Sequence, residues 1–112
     1  GAMLKCAEEI YQEESFAMEL TPYEVYGSDI YTGIEERILI HGIIDCFFIY
    51  KGKVILYDYK TDYVPSGNEN TLIDKYRIQL ELYKKAVERS LGRNVDEVYI
   101  YSFFLDKALK VF

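Results

Sequence analysis

Hydrophobic and β-branched residues dominate the middle of the chain. Residues 37–50 read RILIHGIIDCFFIY and residues 53–61 read KVILYDYKT, with only Lys51 and Gly52 between them. Two such segments joined by two residues, one of them a glycine that tolerates positive φ, are typical of a β-hairpin. With Lys51 and Gly52 as the turn, the predicted register places Asp45 opposite Asp58.

A second pattern follows, in which apolar residues recur every three or four positions and so predict a helix over residues 71–91. These apolar positions are Ile73, Tyr76, Leu80, Tyr83, Val87 and Leu91. We expect Thr71 to cap this helix and Gly92 to end it. The polar residues before it, 62–70, predict a loop.

The remaining segments complete a mixed pattern of helices and strands. Residues 4–14 predict a short helix, 16–20 a strand, 23–36 a loop, 95–105 a strand and 108–112 a short closing strand. A strand that follows a helix can pair in parallel with an earlier strand through a crossover connection. We therefore expect an α/β or α+β domain, with a long hairpin in a mixed central sheet flanked by helices.

Composition and charge narrow the class of protein. The chain has 112 residues and a formal net charge of −6, which fits one small domain over residues 4–112 after a tag remnant at 1–3. Its apolar runs are far shorter than the roughly 20 residues of a membrane helix, so we expect a soluble, cytoplasmic protein. Two cysteines forty positions apart argue against zinc, iron–sulfur and disulfide frameworks. The acidic charge argues against a free-standing nucleic-acid binder.

The predicted hairpin brings together residues that could carry chemistry. Lys60 follows Asp58 by two positions and shares its face of the strand, so two carboxylates and an ammonium converge. A divalent cation such as Mg²⁺ or Mn²⁺ would relieve the repulsion between the carboxylates, and Lys60 would stabilise charge in a transition state. The alternative is a plain Asp45–Lys60 ion pair on a solvated face, with Asp58 exposed.

Two residues of the predicted helix share a face because they are four positions apart, namely Gln79 and Tyr83. Taken alone, they are ordinary helix residues more often than ligand contacts. His41 lies in the first strand of the hairpin, where a single histidine is more often structural than catalytic.

Three segments together resemble a known family. GIID at 42–45, DYKTD at 58–62 and QLELY at 79–83 are similar to the GhhD, DYKTD and QxxxY motifs of the RecB-type nucleases. That family belongs to the PD-(D/E)xK superfamily, and the likeness, over residues 13–111, is closest to the C-terminal nuclease domains of the AddA type. The resemblance implies a restriction-endonuclease-like core.

The resemblance also implies roles for individual residues. Asp45, Asp58 and the carbonyl of Tyr59 would bind Mg²⁺ or Mn²⁺, and Lys60 would be the catalytic lysine. Gln79 and Tyr83 would order the site and touch DNA. Glu13 is similar in position to a glutamate that precedes the first strand of the family.

The family implies a metal-dependent DNA exonuclease domain of an ATP-dependent helicase-nuclease that acts in double-strand break repair. Its partners would be DNA, the helicase part of the same polypeptide and an AddB-like subunit. The family carries a histidine-bearing helix upstream that these residues lack. We therefore expect a partial domain with little activity by itself. The alternative is a non-catalytic DNA-binding or subunit-interaction module that keeps the nuclease fold.

Overall fold

A five-stranded mixed sheet with a long helix forms the architecture. The computed structural model describes residues 9–21, 24, 37–65 and 67–112. The strands are β1 (Glu9–Leu20), β2 (Ile38–Tyr50), β3 (Lys53–Lys60), β4 (Glu97–Ser102) and β5 (Lys107–Lys110), and helix α1 (Glu69–Leu91) connects β3 to β4. The spatial order is β1-β2-β3-β4-β5, and every neighbouring pair is antiparallel except β3–β4. The predicted mixed sheet is confirmed as an α+β fold.

The hairpin has the register that its turn predicts. Tyr50 pairs with Lys53, and the ladder continues to the pair Cys46–Tyr57. Lys51 and Gly52 both have positive φ, 51° and 77°. This conformation matches the right-handed twist of the two strands.

Helix α1 begins earlier than expected and ends where expected. Thr71 is not the N-cap, because the Asn68 carbonyl accepts the Thr71 amide at 3.1 Å and the helix begins at Glu69. The predicted loop therefore ends two residues earlier, at Asn68. Gly92 ends the helix in the left-handed region, with φ 69°. In the described ranges no helix is long and apolar enough to cross a membrane.

The N-terminal prediction is wrong over residues 9–14, which form part of β1 instead of a helix. β1 pairs with β2 along its length, and the Tyr11 ring stacks on Phe47 with centroids 4.7 Å apart. These contacts come from a distant part of the chain, so local periodicity does not reveal them. The predictions for residues 4–8 and for 23–36, except Glu24, lie outside the described residues. The predicted strands at 95–105 and 108–112 are confirmed as shorter elements, β4 and β5.

The sheet is buried on both faces around β3. Helix α1 covers one face, where Leu56 of β3 packs with Leu80 of the helix and Ile100 of β4, all without exposed surface. A smaller cluster on the other face contains Cys46, Phe48 and Ile55. β3 is therefore a central strand, and any polar side chain on its helix-facing side lies in an apolar environment.

Candidate active site

The two aspartates of the hairpin lie where its hydrogen-bonded ladder ends. The last pair of the ladder is Cys46–Tyr57, so Asp45 and Asp58 occupy the next position. Asp45 turns its carboxylate to the β3 backbone, and its Oδ2 accepts a hydrogen bond of 2.9 Å from the Tyr59 amide. The Asp45 carboxyl is near enough to Asp58 to raise the pKa of the Asp58 carboxyl.

The regular alternation of side chains breaks at Asp45. Ile44 and Phe47 both pack into the core beneath the helix, whereas Cys46 belongs to the cluster on the opposite face. The partner strand has a matching irregularity, because the β1–β2 ladder passes from Gln12–Cys46 to Glu14–Ile44 without pairing Glu13, which has a positive φ of 51°. Such a conformation is uncommon for a residue other than glycine. The paired irregularity places the Asp45 carboxylate at the edge of the site.

Asp58 is a buried carboxylate that pairs with Lys60 and lies next to a second carboxylate. The residue is 2% exposed, and its Oδ2 forms an ion pair with Lys60 Nζ, 2.9 Å away. In the part of the chain that the structure describes, this oxygen has no further hydrogen-bond partner. Burial, and next the neighbouring Asp45 carboxyl, raise the pKa of Asp58 to about 6, and Lys60 only partly opposes this rise. The alternative in which Asp58 is exposed and Lys60 pairs with Asp45 is therefore wrong.

Lys60 reaches from β3 to the helix. Its Nζ donates a hydrogen bond of 3.2 Å to Gln79 Oε1 and lies 4.1 Å from the centroid of the Tyr76 ring. Burial tends to lower the pKa of Lys60, but the bond to Asp58 outweighs it and the pKa lies above its usual value. The ammonium is therefore charged at neutral pH.

Gln79 and Tyr83 do form one network with the hairpin. The Gln79 Nε2 donates a hydrogen bond of 3.0 Å to the Tyr83 hydroxyl, so the chain of contacts runs from Asp58 through Lys60 to Tyr83. The Tyr83 ring in turn meets Phe16 edge to face, with centroids 5.4 Å apart. The spacing of four residues predicts that Gln79 and Tyr83 share a face of the helix. Only the tertiary fold brings Lys60 of β3 next to them.

Gly42 leaves the space in which this aromatic contact forms. A Cβ at this position would lie 3.2 Å from Cε1 of Phe16 and 3.6 Å from Cε1 of Tyr83. The first distance is tighter than ordinary packing. The glycine of the GIID segment therefore allows β2 to approach the ring that positions Gln79.

Two residues with contacts in the site were not identified as site residues from the sequence. The sequence pattern identifies Tyr76 only as an apolar position of the helix. In the structure its hydroxyl donates to both carboxylate oxygens of Asp62 at 3.0 Å. Asp62 is the last residue of DYKTD, and it also accepts a bond of 2.7 Å from Lys75. The position of Tyr76, three residues before Gln79 on the same helix, is the signal that could have identified it.

Asp45 and Asp58 supply oxygen donors of the kind that hard divalent cations bind. A depression of about 470 Å³ is lined by Gln12, Glu13, Asp45 and Tyr59. The described ranges contain no group of three or more His, Cys, Asp or Glu side chains placed to hold a metal. Two adjacent carboxylates, one of them buried with a single lysine to balance its charge, nevertheless suit an ion that keeps several waters, as Mg²⁺ does. Asp45 and Asp58 are the residues that would hold it.

The curated proteins reported below, which are similar to this chain in sequence, share one name. The chain is 45% identical over 111 residues to the AddA subunit of the ATP-dependent helicase/nuclease from Clostridium beijerinckii, covering 96% of this chain and 9% of that protein. It is 40% identical over 114 residues to the protein of the same name from Clostridium novyi, covering 99% and 9%. The Alkaliphilus oremlandii protein is 39% identical over 111 residues, with coverage of 99% and 9%. No protein-family model matches the chain.

Proposed function

We propose that this chain, which is homologous to a segment of the AddA proteins of ATP-dependent helicase/nucleases, is a metal-dependent DNA nuclease domain. The segment is about a tenth of the length of these relatives. Its reaction would be hydrolysis of phosphodiester bonds, as in an exonuclease that trims DNA ends during double-strand break repair and recombination. The sheet and helix are consistent with the restriction-endonuclease-like core of the PD-(D/E)xK superfamily.

The observation that carries the proposal is the environment of Asp58. A carboxylate at 2% exposure costs folding free energy, because the ion pair with Lys60 offsets the desolvation of its charge only in part. An adjacent second carboxylate, Asp45, adds to this cost. A divalent cation shared by Asp45 and Asp58 would balance the negative charge that Lys60 leaves over and would remove the repulsion between the two carboxylates. A pair of this kind is more readily explained as a metal site than as packing.

Each residue has a distinct role in the proposed reaction. Mg²⁺ or Mn²⁺, when bound, supplies Lewis acidity to the scissile phosphate and makes water a nucleophile near neutral pH. Asp45 and Asp58 hold the cation, with the Tyr59 carbonyl as a further ligand. The Lys60 ammonium stabilises the negative charge that develops on the phosphoryl group. Gln79 holds the lysine and is itself held by Tyr83, and the resemblance to the RecB-type nucleases implies that both would also touch DNA.

The name of the relatives suggests the partners of the domain and its place in the cell. That name describes an ATP-dependent helicase/nuclease and calls the protein a subunit. We therefore propose that the domain works in the bacterial cytoplasm, within a longer polypeptide that carries the motor and beside an AddB-like subunit. The motor would deliver DNA to a domain whose own net charge of −6 disfavours unassisted binding.

The test is degradation of end-labelled linear DNA by the complete subunit that carries this segment, in Mg²⁺ at low salt. We expect Asp58→Asn to abolish cleavage, because the buried oxygen then loses its charge, while DNA binding in a mobility-shift assay persists. Asp74→Asn, a neutralisation on an exposed part of α1, is the matched control. Unchanged cleavage in Asp58→Asn would overturn the proposal. DNA binding without any cleavage by the unaltered protein would favour the non-catalytic module.

A further inference from the structure

We propose that Tyr76 is a positioning residue whose ring holds the Lys60 ammonium against Asp58 and Gln79; the inference rests on the nuclease function proposed above. The ammonium has three close neighbours, which are Asp58 Oδ2 at 2.9 Å, Gln79 Oε1 at 3.2 Å and the Tyr76 ring centroid at 4.1 Å. Tyr76 lies outside all three motif segments, GIID, DYKTD and QLELY.

The ring is itself fixed from its outer edge. The Tyr76 hydroxyl donates to both oxygens of Asp62 at 3.0 Å, and Lys75 Nζ lies 2.7 Å from Asp62 Oδ2. Asp62 follows β3 two residues after Lys60. The strand end that presents the lysine therefore also anchors the ring that covers it. A displacement of the helix relative to β3 would disturb both contacts together.

An aromatic ring suits this position for an electrostatic reason. The face of a tyrosine attracts an ammonium within about 6 Å through its quadrupole, without adding net charge. A third carboxylate in its place would hold the lysine equally well but would add negative charge beside Asp45 and Asp58, where a DNA phosphate must enter. The ring therefore restrains a flexible four-carbon side chain at no electrostatic cost to the substrate.

The first test measures ring placement in this chain by NMR and needs no activity. A proton pair on the Lys60 ε-carbon that lies over the Tyr76 face should resonate upfield of the other lysines, in protein labelled with carbon-13 at lysine. Lys60→Arg assigns the signal. We expect Tyr76→Phe to keep the upfield position and Tyr76→Leu to return it to the ordinary lysine position. An unshifted Lys60 signal in the unaltered chain would overturn the inference.

The second test measures cleavage by the complete subunit. Tyr76→Leu should lower kcat roughly tenfold while KM and the Mn²⁺ concentration for half-maximal activity stay unchanged, since the ring acts on the lysine alone. Tyr76→Phe should restore most of the rate because it keeps the ring. Tyr63→Leu is the matched control, since this tyrosine is 73% exposed and contacts Phe104.

The outcomes separate the two proposals. If Lys60→Ala abolishes cleavage but Tyr76→Leu keeps the wild-type kcat, the positioning role of Tyr76 is overturned while the role of Lys60 stands. If kcat falls as far in Tyr76→Phe as in Tyr76→Leu, the effect belongs to the Tyr76 hydroxyl. That result would also overturn the role of the ring. Equal cleavage by the unaltered protein and Lys60→Ala would instead overturn the nuclease assignment, and the NMR signal would still show whether the ring holds the ammonium.

Discussion

The Asp45 carboxylate accepts a hydrogen bond of 2.9 Å from the Tyr59 amide, across the point where the β2–β3 ladder ends. This bond replaces the backbone pairing that would otherwise continue, and it holds Asp45 beside the buried Asp58. The two carboxylates are consequently coupled in charge, and their coupling can be measured through stability as well as through cleavage.

Neutralising Asp45 should stabilise the metal-free protein and remove its response to metal. Asp45→Asn keeps an oxygen that can accept the Tyr59 amide but removes the charge next to Asp58, so the thermal unfolding midpoint without metal should rise. A divalent cation that binds only the folded state raises that midpoint in the unaltered chain. We expect Mn²⁺ to raise the midpoint of the unaltered chain but not of Asp45→Asn.

The control for this experiment is Asp74→Asn, because Asp74 is an exposed helix residue whose partner is Arg77 at 3.5 Å. Its Mn²⁺ response should equal that of the unaltered chain. An undiminished Mn²⁺ shift in Asp45→Asn would mean that the cation binds elsewhere.

The stability of the metal-free chain should fall as pH rises through the range in which Asp58 ionises. Its pKa is raised from 3.8 to about 6 in the folded state, chiefly by burial. Well below pH 3.8 the group is protonated in both states and costs nothing. Well above pH 6 it is ionised in both, and the full cost, about 3 kcal/mol, is present. Chemical denaturation between pH 4 and pH 7 measures this decline.

Asp58→Asn supplies the reference for that pH profile. The variant lacks the titrating group, so the difference in unfolding free energy between it and the unaltered chain should grow with pH in favour of the variant. Parallel profiles for the two proteins would show that Asp58 does not titrate in this range.

Removing the Lys60 ammonium should separate metal binding from chemistry. An ammonium is no metal ligand, so Lys60→Ala should keep the thermal shift that Mn²⁺ produces, while cleavage by the complete subunit falls by roughly 100-fold or more. Lys110→Ala, which removes a lysine whose partner Glu97 lies 3.7 Å away in the sheet, is the control. Near-normal cleavage in Lys60→Ala would remove the lysine from the mechanism.

Filling the space at Gly42 should disturb the contact between Phe16 and Tyr83. Gly42→Val places a branched side chain where a single Cβ already lies 3.2 Å from the Phe16 ring, and we expect a loss of about 1–3 kcal/mol of unfolding free energy. Urea denaturation measures this loss.

A compensating substitution tests the cause of that loss. If the clash with Phe16 is responsible, Gly42→Val should cost less in a Phe16→Leu background, and the two substitutions should be non-additive. Strict additivity would place the strain elsewhere.

The sequence alone determined the hairpin register and the end of the helix. Lys51 and Gly52 leave room for only a two-residue turn, which fixes every opposed pair up to Cys46–Tyr57. Gly92 ends α1 because it adopts a left-handed conformation at little cost. Both outcomes depend on interactions between near neighbours, which local patterns encode.

The tertiary structure decided the features that depend on distant contacts. Residues 9–14 form a strand because β2 offers hydrogen bonds and the Phe47 ring, neither of which their own periodicity reveals. The spacing of the strand residues places Asp58 on one face of β3 but does not show whether that face is covered. In the structure, helix α1 covers it. The partners of Lys60 were decided in the same way, because Asp58, Gln79 and Tyr76 meet only after the helix crosses the sheet.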